Sequence, residues 1–156
     1  MATSFTDYQG HGFWANDAFL EVWLAALAEA IPQDAPSWLL DAGHRWQEQA
    51  GAGFKGCVDA RLNATLTSPQ RTPVVLRLAE SAVGLLGDLA DPTGFVPAPW
   101  LNDRHIGGDM SSGSGNIRLD YVLQVANAFT SLLRGELEST PSTSPVFPLA
   151  DETPAE

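Results

Sequence analysis

The chain has 156 residues and a mass of 16.7 kDa, the size of one ordinary domain. It carries 19 Asp and Glu against 8 Lys and Arg, so its net charge is −11 and its pI about 4.4. So few cations argue against nonspecific DNA or RNA binding, which requires displacing counterions from phosphates, and disfavour an anionic membrane.

At 44% hydrophobic the chain is globular in composition. Met1 to Gly10 lacks the basic and apolar regions of a signal peptide. The longest apolar-rich stretch, Ala18 to Ile31, is interrupted by Glu21 and Glu29 and is too short to span a bilayer. The single cysteine, Cys57, leaves no internal disulfide available. These features lead us to expect a soluble, cytoplasmic protein.

Asp17 to Ile31 is the clearest predicted helix. Asn16 and Asp17 are both good N-caps, because their oxygens can accept from free backbone N–H groups. Phe19, Trp23, Leu27 and Ile31 share one face, and Leu20 and Leu24 widen it. An apolar arc this broad predicts a central helix covered on several sides. Pro32 stops it.

A second helix is expected from Ser37, with Trp38, Ala42, Trp46 and Ala50 in one stripe and Gly51 and Gly53 as its end. A short third helix is placed over Val58 to Leu66. Thr72-Pro73 signals a fourth start, a capping hydroxyl followed by a proline whose missing N–H costs nothing there. Val75, Leu78, Ala82, Leu85 and Leu89 form its stripe; Gly84 and Gly87 weaken it, and suggest a close approach by another helix.

Ala90 to Asn116 reads as a long Pro- and Gly-rich loop, a kind of segment that often carries function. The last helix is expected from Ile117, capped by Asn116, to Arg134, with Gly135 as its stop. After Glu138 the composition becomes low-complexity. No strand pattern of period two is convincing. The expected fold is therefore all-α: a helical domain over residues 1–138, a bundle of about five helices, followed by a disordered tail over 139–156. Val146, Phe147 and Leu149 are the tail residues best able to dock locally.

Candidate chemistry is sparse. Asp41 and His44 sit three apart on a predicted helix, and Asp103, His105 and Asp109 cluster in the long loop. Either group has ligand chemistry, but neither spacing is a specific metal motif. The glycine-rich run Gly107 to Asn116 precedes a helix like a phosphate loop. It has no preceding strand and no following Lys, and Asp109 would repel phosphate, so a plain connection is the better reading. Lys55 lies near Cys57, but nothing places a base beside the thiol, and no serine-hydrolase elbow is present. Cys57 therefore reads as a small buried core residue. No catalytic residue, metal or cofactor is expected.

Of the five tryptophans, Trp23, Trp38 and Trp46 match helix stripes. Trp14 and Trp100 fall in irregular segments, where an aromatic anchors a loop to the core or a partner to the surface. The negative charge is uneven. Residues 1–52 hold seven acids and one base, residues 53–90 are slightly positive, and the tail carries three acids. Glu21, Glu29, Asp34, Asp41 and Glu48 lie mostly off the apolar stripes. They form either a plain solvated face or a surface complementary to a basic protein.

Three blocks are distinctive: Gly10 to Leu24 (GHGFWANDAFLEVWL), Phe54 to Val58 (FKGCV) and Phe129 to Leu137 (FTSLLRGEL). Together they resemble, over roughly residues 8–137, small acidic bacterial proteins similar to the immunity proteins of toxin systems. The resemblance implies a compact helical antitoxin-like protein that binds and neutralises a cognate toxin. It carries over no catalytic residue. The leading expectation is thus a non-enzymatic inhibitor of a basic partner domain, with Asp34, Asp41, Glu48, Asp103 and Asp109 as contacts and Trp100 as an anchor. The alternatives are an adaptor or chaperone for a secreted effector, and a small metal-dependent enzyme using His44 or the Asp103–His105–Asp109 group.

Overall fold

The residues ahead of the first helix form a β-hairpin. In the computed structural model, which describes residues 2–51, 56–106 and 117–149, β1 (Thr3–Tyr8) pairs antiparallel with β2 (His11–Asn16), Thr6 opposite Phe13. The turn is Gln9-Gly10, both at positive φ (52° and 84°), the backbone shape that tight hairpins require. The fold is therefore α+β, and the all-α expectation is corrected. The reason lies in the side chains. On β1 the buried positions are Ser4 and Thr6, each 1% exposed, so the period-two signal is carried by hydroxyls.

Helix α1 (Asp17–Ala30) runs directly out of β2. Leu20, Val22, Trp23, Leu24, Ala26 and Leu27 are all fully buried, on more than one face of the helix. That arc is covered by α2 (Ser37–Gly51), α4 (Arg71–Leu89) and α6 (Leu119–Leu133), with the hairpin lying against α6. Trp23 meets Phe129 of α6 edge to face, with ring centroids 5.6 Å apart. Trp46 is buried too, its indole N–H donating to the Ala60 carbonyl at 2.9 Å.

The start signals act differently from expectation. Asn16 makes no side-chain cap bond, and the Asp17 carboxylate accepts instead from the Ser4 hydroxyl (2.6 Å) and the Gly56 N–H (2.7 Å). Thr72 does not cap either, because α4 already begins at Arg71. The short helix after Cys57 shrinks to α3 (Leu62–Thr65). Within the long loop, α5 (Ala98–Asp103) forms, and Phe95 bridges to Arg118. Asp91 sets up that bridge: its carboxylate accepts from the Thr93 hydroxyl and the Phe95 N–H, bonds that hold it below the ordinary carboxylate range.

The tail also departs from expectation. Over residues 139–149 it is a strap bound to the hairpin. Gly12 N–H donates to Ser139, the Trp14 indole to the Pro141 carbonyl (2.8 Å), and Trp14 N–H to the Ser144 hydroxyl. The strap ends in β3 (Val146–Phe147), parallel to β2, which makes the sheet three-stranded in the order β1-β2-β3. Phe147 meets Phe13 edge to face at 6.0 Å. Cys57 is exposed, contrary to its reading as a core residue.

Nothing lies within 4 Å of a side-chain position at Gly84 or Gly87, so the close helix approach expected there does not occur. Gly12 is the opposite case: a Cβ there would sit 2.1 Å from the Thr6 carbonyl oxygen. Gly84→Ala should raise stability by roughly 0.5–1 kcal/mol, the ordinary gain for an exposed helix-interior glycine. Gly12→Ala should lower it by about 2 kcal/mol or more, since the obstruction is backbone and the pairing must shift. Chemical denaturation of the two variants checks both signs.

Candidate functional site

Helix α2 turns one face to the core and the other to water. The inward face is Leu39, Ala42, Gly43, Trp46 and Ala50, so the three-to-four spacing places Asp41, His44 and Glu48 outward. All three are exposed, and Asp34 is exposed in the preceding loop. Asp41 and Glu48, two turns apart, thus form an acidic, solvent-facing stripe on α2, with the exposed Asp34 ahead of it.

That stripe runs into a cleft of about 670 Å³ between α1, α2 and α5. Glu29 of α1, Gln47 and Glu48 of α2, and Asp103, Arg104 and His105 of the α5 end line it. Glu48, Asp103 and His105, all named from sequence, are brought together here. Glu48 and Asp103 have no hydrogen bond or ion pair through their carboxylates among the described residues. His105 is exposed and lies at φ 57°, a left-handed conformation at the end of α5. Asp41 and His44 share a face, but no group of three metal-ligating side chains occurs among the described residues. Asp109 lies outside the described residues.

Trp100 lies largely buried, under the Arg104 side chain. It is 7% exposed, and its indole N–H donates to Glu29 Oε2 at 2.9 Å. The same oxygen accepts from Arg104 Nη2 at 2.8 Å, and the Arg104 guanidinium lies 4.1 Å above the Trp100 ring centroid. Glu29 and Arg104 were missed as site residues. Glu29 was visible only as an acid off the apolar stripe. The usable signal for Arg104 was its spacing four after Trp100, which places a cation beside a ring on one helical turn.

A second acidic cluster is buried. Asp17 and Glu21 stand one turn apart on α1, 6% and 7% exposed. The Ser4 hydroxyl that donates to Asp17 also accepts from Val58 N–H at 2.9 Å, so the cluster ties hairpin, helix and the 56–58 segment together. Burial first, then the Asp17 charge, pushes the Glu21 carboxyl from 4.5 up to about 7. This cluster reads as structural.

No described helix is long and apolar enough to cross a membrane. Comparison with protein-family models, with curated proteins and with solved structures gives no match.

The raised Glu21 value sets a pH dependence. A carboxyl that holds its proton more tightly when folded stabilises the fold at low pH, and this contribution fades as pH rises from 4.5 through about 7. Glu21→Gln should therefore gain on the wild type above pH 7, on the order of 1–2 kcal/mol after allowing for solvent screening. The gain should vanish near pH 4. Urea midpoints measured across that range check it.

Proposed function

We propose that this chain is a non-enzymatic cytoplasmic binding protein that docks its acidic α2–α5 face on a basic partner domain and neutralises it, as an immunity protein does its toxin. One observation carries the reading. Glu48 and Asp103, far apart in sequence, converge on one cleft with their carboxylates unpaired among the described residues. Carboxylates without internal partners give up hydration but break no intramolecular bond when a cation arrives. The exposed Asp34 and Asp41 extend the same sign of charge along the approach and steer a basic surface toward it. Of the seven acids in residues 1–52, Asp34, Asp41 and Glu48 are exposed on or just ahead of α2 and support this face.

The direct test is co-expression with the protein encoded immediately upstream. The expected results are co-purification and relief of growth arrest. A complex without relief would favour the adaptor role; no complex would overturn the proposal. The triple variant Asp41→Lys, Glu48→Lys, Asp103→Lys should weaken the complex about ten- to a hundredfold at low salt, mainly through slower association. Wild-type affinity should fall as salt rises, and the variant's much less. Association rates at two ionic strengths check this.

A further inference from the structure

Arg104 has the contacts of a bound ligand. Its Nη2 donates to Glu29 Oε2 at 2.8 Å, its Nη1 to the Trp100 carbonyl at 2.9 Å, and its Cζ lies over the Trp100 ring, 4.1 Å from the centroid. Carboxylate, carbonyl and aromatic face together suit a flat guanidinium with forked donors better than a compact ammonium.

One bond between these groups does not involve Arg104: the Trp100 indole N–H donates to Glu29 Oε2 at 2.9 Å, and it joins ring to carboxylate whether or not the arginine is seated. The occupant is also reachable. The Arg104 side chain is 28% exposed and that of Glu29 38%. Both border the 670 Å³ cleft, which gives the side chain room to leave. In that cleft the carboxylates of Glu48 and Asp103, unpaired among the described residues, can receive it.

We propose that Glu29 and Trp100 form a guanidinium seat, that Arg104 is its resident occupant, and that an arginine side chain of a basic partner takes its place on docking. The last step rests on reading the acidic face as partner-binding; the seat itself does not. Arg104 then acts as a built-in competitor. Proteins without a matching arginine leave it seated, and a cognate one evicts it into the cleft.

The seat is tested on the protein alone. In Arg104→Ala, methylguanidinium chloride should shift the Trp100 indole N–H resonance saturably. The half-point should lie about tenfold below that of the wild type, as for a site about 90% occupied by its own arginine. Methylammonium at equal ionic strength should shift it far less, and the double variant Glu29→Gln, Arg104→Ala should lose the response. No saturable shift, or an equal one with methylammonium, overturns the seat. Should Arg104→Ala fail to fold, wild-type titration decides: methylguanidinium must displace the Arg104 Nε–H resonance as it moves the indole, and an unmoved resonance overturns it.

The displacement step is tested with the partner. Arg104→Ala should bind it more tightly than the charge-matched control Arg77→Ala, altered on the exposed face of α4. Equal or weaker binding overturns displacement and leaves the seat standing. Failure of any wild-type complex to form overturns the partner reading instead.

Discussion

A helix that is apolar around most of its circumference cannot rest at a surface. Ten of the fourteen residues of α1 are buried, and the other elements are arranged to cover it. Three carboxylates nevertheless sit on this helix, and each is accommodated differently. Asp17, at the start, receives the Ser4 hydroxyl and the Gly56 N–H. Glu21, in the middle, is favoured in its protonated form. Glu29, at the end, reaches the rim, where it meets Trp100 and Arg104. The cleft thus begins where the buried helix returns to solvent.

The same constraint joins fold to function. Because α1 must be covered, α2 lies along it with Gly43 close to Ile31, where a Cβ would sit 2.6 Å from the Ile31 Cδ1 atom. This packing directs Asp41, His44 and Glu48 outward. Gly51, at the end of α2, lets the backbone at Arg104 approach, with a Cβ there only 3.0 Å from its carbonyl oxygen. Gly51 itself lines the cleft, with Glu48 and Asp103. Only two ion pairs occur among the described residues, so most of the acidity is unbalanced within the fold and directed to solvent.

The main helices were legible because each combines a clear apolar period with a stop. The end of α1 follows Pro32 closely, the described part of α2 runs to Gly51, and Gly135 marks the end of α6. The hairpin was not legible. Ser4 and Thr6 bury hydroxyls where a strand usually buries Val or Ile, and Gly12, Phe13 and Ala15 are all buried, which breaks the alternation on β2. The strap was hidden by its composition, since Ser, Thr and Pro give no core signal while their backbone and hydroxyls bond to Trp14. Charge arithmetic singled out Glu48 and Asp103, which the fold brings to one cleft. It could not find the seat, because pairing Glu29 with Arg104 depends on how α5 lies against α1.

The strap also has a consequence for how the fold is reached. It joins β2 to a strand some 130 residues later, as the Trp14–Ser144 bond measures. A contact of that span closes slowly, because the intervening chain loses its freedom before the contact returns any stabilisation. On a ribosome, β2 and α1 emerge long before α6 and the strap exist. The nascent chain must therefore hold its most apolar helix without its full cover until α6 is made. The acids that separate its apolar runs, and repel other copies of the same chain, are then an asset before the protein has met any partner.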